Sequence, residues 1–223
     1  MRAKLSNLTR WAVLVLGAAI AAPALAAQQF GAVTGSVTIK PETDARAMNT
    51  VVWLEGVPSE SIPAQLLAHG RHPKMEQKNL RFLPEVLPVM AGATVDFPNE
   101  DNVFHNVYSA SPVHRFDLGL YPQGASRSTT FDQLGIVEIG CNTHAQMKAW
   151  IVVVPGPYFA MPNERGIYQI KDIPSGSYTI KVWNPDLGLT SEPVTLEQSG
   201  QVVNLDFDLG GKSGRLGGAP AGP

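Results

Sequence analysis

The chain of 223 residues has one cysteine, Cys141, in the run Cys141-Asn142-Thr143-His144-Ala145-Gln146-Met147. His105 lies 36 residues upstream, in Phe104-His105-Asn106-Val107. Together these offer one thiolate, two imidazoles and one thioether. A His₂Cys trigonal set with a weak axial Met is the donor set of a blue-copper electron-transfer centre. The soft thiolate and two neutral imidazoles lie in one plane, and a distant thioether completes the set without tightening it. Such a site can serve Cu(I) and Cu(II) with little rearrangement, so one copper ion is the cofactor these residues imply.

The neighbouring segments suit the task. Gly135–Gly140 alternates Ile136, Glu138 and Gly140, and Lys148–Val154 begins another apolar run. Cys141, His144 and Met147 therefore fall in one short loop between two strands, three residues apart, where all can turn toward one ion. His105 reaches in from a strand over Val103–Tyr108, with Phe104 and Asn106 on the opposite face by alternation. Further strands are expected at Ala32–Lys40, Thr50–Glu55, Val86–Met90, Thr94–Phe97, Arg115–Leu118, Arg127–Phe131 and Ala149–Val154. Nine short β-branched and aromatic runs cut by Gly, Pro, Asn and Asp predict an all-β fold with a β-sandwich. The one helical segment, Ile62 to His69, has Ser61 as N-cap, Pro63 in its first turn and Gly70 as its stop.

At these residues the chain resembles the cupredoxins, small blue copper proteins such as plastocyanin, pseudoazurin and amicyanin. His105-Asn106 matches their upstream His-Asn pair. Cys141-x₂-His144-x₂-Met147 matches the shortest, amicyanin-like form of their ligand loop, and Val95 to Asp101 resembles the strand-and-turn entry of a cupredoxin-like Greek-key sandwich. The resemblance implies His105, Cys141 and His144 as strong ligands and Met147 as the axial one. It implies that Asn106 ties the histidine strand to the ligand loop. It also puts the His144 ring edge, with Ala145 beside it, at the surface where redox partners meet the site. Many cupredoxins carry proline on either side of the loop histidine; here Thr143 and Ala145 stand there. Their N–H groups are free to donate to the thiolate or nearby carbonyls, so Thr143 joins the residues that tune the site.

Pro155-Gly156-Pro157 marks a joint. Beyond it, Tyr168 and Ile170, then Tyr178, Ile180 and Val182, alternate with polar residues around Pro174-Ser175-Gly176, which predicts a hairpin. The G-x-Y-x-I…I-P-x-G-x-Y-x-I-x-V pattern resembles the carboxypeptidase regulatory-like modules, implying a small prealbumin-like β-sandwich. The pairing with a copper domain resembles exported methylamine-utilisation-type proteins. The expected division is residues 1–26 as signal peptide, 27–155 as copper domain, 156–208 as second module and 209–223 as disordered tail. A different arrangement stays open: Gly31–Glu55 can supply the first strands of the second module, with the copper domain inserted between its halves.

The opening segment reads as an export signal. Arg2, Lys4 and Arg10 are followed by the twelve-residue apolar run Trp11–Ala22 and by Ala24-Leu25-Ala26. That run is shorter than the about 20 residues of a membrane span. Cleavage after Ala26 leaves roughly 197 residues with 14 basic and 19 acidic side chains, a charge of −5, in the periplasm and with no span of the membrane. That balance excludes nucleic acid as a partner, since phosphates demand a basic face. In an oxidising compartment a lone thiol forms no internal disulfide, and a bound metal or deep burial protects it.

Other candidates carry less. His69, His72 and Met75 share a three-residue spacing, but Gly70 and Pro73 break any helix that would align them. His114 has no partner at ligand spacing and reads as a surface residue. Asp96, Glu100 and Asp101 form either an acidic docking patch or a solvated turn. Tyr158, Phe159 and Trp183 read as core of the second module, with a sugar platform as the other reading. Too few histidines remain for a trinuclear copper centre, and no nucleophile–base motif or phosphate loop occurs, so the chain reads as a non-enzyme. Three functions stay open: an electron carrier working with transient redox partners, a copper chaperone or store, and a structural sandwich that binds a partner or glycan.

Overall fold

The computed structural model describes residues 30–40, 46–67 and 72–210. The expected signal peptide, His69 and residues 211–223 lie outside these. In chain order the strands are β1 (Phe30–Ile39), β2 (Val51–Glu55), β3 (Glu76–Gln77), β4 (Phe82–Leu83), β5 (Val86–Met90), β6 (Ala93–Pro98), β7 (His105–Ser109), β8 (Phe116–Tyr121) and β9 (Ser126–Phe131). They continue as β10 (Gly135–Gly140), β11 (Lys148–Val154), β12 (Phe159–Ala160), β13 (Ile167–Pro174), β14 (Gly176–Asn184), β15 (Gly188–Leu196), β16 (Val202–Asn204) and β17 (Phe207–Leu209). One α-helical turn, Ala64–Leu67, falls inside the expected helical segment. The protein is all-β.

Strand pairing builds two sandwiches from this chain. The first has a five-stranded sheet, β5-β11-β10-β7-β8, facing the pair β6-β9. Val95, Phe97, Val107, Phe131, Val137, Ile139, Ala149 and Ile151 fill the space between. The second sets β13-β1-β16, with β17 also on β1, against β12-β2-β14-β15. Its core holds Val33, Val52, Leu54, Tyr168, Ile170, Ile180, Val182 and Phe207.

This pairing changes the expected division at its start rather than at residue 155: residues 30–55 go with the second module, the arrangement in which the first domain is inserted between that module's halves. β1 pairs with β13, β16 and β17, and β2 with β12 and β14, so residues 30–55 hydrogen-bond to strands after the Pro155-Gly156-Pro157 joint. The first sandwich is looped out between β2 and β12. Alternation marks which face of β1 is apolar, Val33 and Val37 being buried, but does not name the edge it joins. Gly35 is required where β1 meets its late partner, because a Cβ there would overlap the Leu205 carbonyl oxygen.

Two further expectations change. Pro174-Ser175-Gly176 does not close a hairpin: β13 pairs with β1, whereas β14 pairs with β2 and β15. The turn carries the chain from one sheet to the other, and the Tyr178 hydroxyl holds it by donating to the carbonyls of Pro174 at 2.8 Å and Ser175 at 3.2 Å. The expected tail at 209–223 begins too early, since Leu209 is a buried strand residue opposite Ile39.

The sandwiches share a third core. Val86, Val152 and Val154 of the first meet Val51, Trp53 and Trp183 of the second, with Trp150 edge-on to Trp183 at 6.3 Å. β11 thus buries both faces, Ala149, Ile151 and Val153 one way and Val152 and Val154 the other. That explains its unbroken apolar run, the pattern of a doubly covered strand. β11 also carries the ligand loop on its N-terminal end, so the site sits on a strand clamped from both sides. Among the described residues no helix is long and apolar enough to cross a membrane.

Candidate metal centre

The loop from Gly140 to Lys148 joins β10 to β11, which pair in register from Gly135↔Val153 to Gly140↔Lys148. A closed ladder at its base fixes where the loop leaves the sheet. Within it the Met147 N–H donates to the His144 carbonyl at 2.9 Å, closing a tight turn. Cys141 and Met147 are buried in the first sandwich core, and His144 is half-buried. His105 arrives at the start of β7 with no exposed surface.

Three donor atoms converge. His105 Nδ1 and His144 Nδ1 are 3.1 Å apart, and Cys141 Sγ lies 3.9 Å from each. The rings meet edge-on at 70°. In the plane of these atoms, a point about 2.0 Å from both nitrogens lies about 2.3 Å from the sulfur, the bond lengths of metal–imidazole and metal–thiolate pairs. The cluster therefore fits a metal ion without rearrangement. Among the described residues, His105, Cys141 and His144 are the one group of three His, Cys, Asp or Glu donors so gathered.

The surroundings hold the ligands in place. The Asn106 N–H points at Cys141 Sγ at 3.5 Å. The Asn106 side-chain oxygen accepts the Asn142 N–H at 3.2 Å, and its amide donates to Asp117 at 2.5 Å. Asn106 therefore links β7, β8 and the ligand loop. It is buried, unlike exposed Phe104, because the loop folds over it and a bulge interrupts the β7–β8 register just beyond. Thr143 is exposed, and the backbone donor that reaches the sulfur is Asn106. Ala145 is exposed beside His144.

Sequence reasoning missed Asp101. Its Oδ2 sits 2.9 Å from His105 Nε2. Burial works against its charge, but donation from the Leu80 N–H, the His105 ring and the Asn79 N–H outweighs burial and holds the carboxyl below its ordinary value. The four-residue spacing from Asp101 to His105 was the available signal, hidden among the acids of one turn. His114 is corrected too. Its ring packs 4.7 Å from Phe131 and 5.2 Å from Phe116, and Nε2 meets Thr129 Oγ1 at 3.3 Å, so it is half-buried against the sandwich rather than free on the surface. Met75 is buried in the core while His72 is exposed, which separates that pair. Tyr158 and Trp183 are buried in core.

Comparison with solved structures finds cupredoxins over less than half of the chain. A purple cupredoxin from Nitrosopumilus maritimus covers 37% of this chain and 99% of its own at 19% identity, with a TM-score of 0.34. An oxidised amicyanin variant covers 40% of this chain and 86% of its own at 23% identity and a TM-score of 0.36. A reduced amicyanin variant covers 46% and 98% at 21% identity, with the same score. No protein-family profile and no curated protein matches the chain. At these scores the likeness carries no weight for function, which stands on the atoms of the site.

Proposed function

We propose that this chain is a blue copper protein passing single electrons between redox partners in the periplasm, held on a carboxypeptidase regulatory-like module. The observation that carries the reading is the Nδ1–Nδ1–Sγ triangle, with buried Met147 closing the same seven-residue loop. When bound, copper supplies a one-electron couple that the protein alone lacks. The chain's part is to keep the donors still. His105 and Cys141 are buried and cross-tied through Asn106, so neither has to move on a change of charge. The N–H aimed at the sulfur tunes its electron density, which is one of the controls on potential.

His144 is the exit. Of the three convergent ligands it alone has appreciable exposure, and Ala145 beside it adds no bulk. Phe104, just before β7, and Leu120, on the paired strand β8, are large apolar side chains left more than half exposed. A patch of this kind suits brief encounters with a redox partner, which bury little surface.

Titration of the protein with Cu(II), followed by visible absorption and EPR beside Cys141→Ser, tests the reading. An intense blue thiolate-to-copper band with narrow copper hyperfine splitting, absent in the variant, is the expected result. An ordinary tetragonal Cu(II) spectrum that ignores the mutation sinks it. A copper store would instead bind Cu(I) tightly and fail to cycle on oxidation.

A further inference from the structure

We infer that Asp101 is the positioning residue of this centre: its carboxylate fixes the His105 ring with the proton on Nε2 and biases a bound copper toward Cu(II). The redox half rests on the copper reading above; the half that concerns the ring does not.

The carboxylate is built in from several sides. Its Oδ2 meets His105 Nε2 at 2.9 Å and accepts the Leu80 N–H at 2.9 Å, and its Oδ1 accepts the Asn79 N–H at 2.6 Å. Its own N–H donates at 3.0 Å to the side-chain oxygen of buried Asn99. Asn99 in turn donates to the carbonyls of Val103, two residues before His105, and Tyr121, its partner across the β7–β8 ladder. Asn79 and Leu80 both stand at φ 55°. Leucine seldom takes the left-handed region, and two successive N–H groups in such a turn make an anion-binding nest. Lys78 and Arg81 close this turn as a two-residue hairpin loop between β3 and β4, which needs positive φ at both central residues, and its two N–H groups are aimed at one carboxylate. Asp101 keeps only 13% of its side-chain surface and His105 none.

The consequences follow from the two ring nitrogens. With Nε2–H donated to Asp101, Nδ1 has a free lone pair. The 3.1 Å Nδ1···Nδ1 contact is then His144 donating to His105, and the His105 lone pair points to where Cys141 and His144 converge. A carboxylate on the far nitrogen raises the basicity of a ligating imidazole. Its negative charge also favours whichever metal state is more positive.

Two measurements decide the matter. Long-range ¹H–¹⁵N spectra of the metal-free wild-type protein at one pH should place the His105 proton on Nε2; a proton on Nδ1 overturns the assignment without any variant. In copper-loaded Asp101→Asn the ratio of Cu(I) to Cu(II) affinity should rise at least tenfold, an upward shift of about 59 mV for a one-electron couple, while Asp101→Glu recovers part of it. A ratio within twofold of wild type, with only a lower melting temperature, would reduce Asp101 to a structural role. Should Asp101→Asn not fold, the wild-type spectrum and Asp101→Glu still decide. A copper-loaded wild type lacking the thiolate band sinks the electron-carrier reading instead, and the metal-free spectrum judges the ring assignment independently.

Discussion

The first sandwich buries Gln77, Asn99, His105, Asn106 and Ser109, whereas the second buries only Thr50 and Asn184 among the described residues. Asn184 donates to the Thr50 hydroxyl at 3.0 Å and the Arg46 carbonyl at 3.1 Å and accepts the Asp186 N–H at 3.1 Å, a local set that ties down one chain turn. In the first sandwich the buried polar groups run from Gln77 through Tyr121 and Asn99 to the turn bearing Asp101, and Asn106 reaches the ligand loop. Buried polar groups are costly unless paired, so a connected set of them marks where the fold serves chemistry. The second sandwich has an apolar interior and serves as a base, joined to the first through the shared Trp150–Trp183 core.

Substitutions in each sandwich should separate stability from site chemistry. Ile180→Ala, in the core of the second sandwich, should cost about 2–5 kcal/mol in denaturant unfolding while leaving the Cu(II) spectrum of the folded protein unchanged. Asn106→Ala should cost only about 1 kcal/mol yet weaken metal binding about 10–100-fold, read by competitive titration. If Ile180→Ala alters the spectrum, the base is not a passive one.

A subtler contrast lies in two buried tyrosines. Tyr121 donates to the Phe97 carbonyl at 2.8 Å and accepts from Gln77 at 2.5 Å. The Tyr158 hydroxyl has no partner among the described residues, and burial pushes it up to about 12. Tyr121→Phe should therefore destabilise by about 1–3 kcal/mol, because it orphans Gln77. Tyr158→Phe should be neutral or up to about 1 kcal/mol stabilising by the same rule. Thermal melts of the two variants side by side check this.

The smallest effect concerns pH. Donation from the Ser36 hydroxyl and N–H, helped by Asn204, holds Asp206 below its ordinary value of 3.8. A carboxyl lowered in the folded state stabilises above its unfolded value, and that contribution fades as pH falls through the folded one. Unfolding curves below pH 4 should show Asp206→Asn losing part of the wild-type acid sensitivity. Equal slopes would remove Asp206 from the account.

Much of the site was legible in the chain because its residues are close in sequence. Cys141, His144 and Met147 share one loop, and alternation in Gly135–Gly140 and Lys148–Val154 gave that loop its two strands. His105-Asn106 was recognisable as a pair, and the structure brings His105 to the loop and Asn106 against its backbone. Thr143 is exposed and the N–H that reaches the sulfur is that of Asn106, because a residue's having an N–H does not say where a turn will aim it. Asp101 was passed over, because its role depends on two unusual backbone angles at Asn79 and Leu80. The expected hairpin at Pro174 failed for a related reason: adjacent apolar runs suit a hairpin and a sheet-to-sheet crossing alike.

What the sequence determined by itself is the donor set and its local spacing, together with the faces of the strands, since these follow from covalent order and a two-residue period. What only the tertiary structure decided is partnership. β1 finds β13 and β17 across more than a hundred residues, β11 is covered on both faces, and Asp101 stands behind His105. Edge choice and side-chain pairing depend on atoms distant in sequence meeting in space, and a strand's own alternation carries no record of which edge it will join.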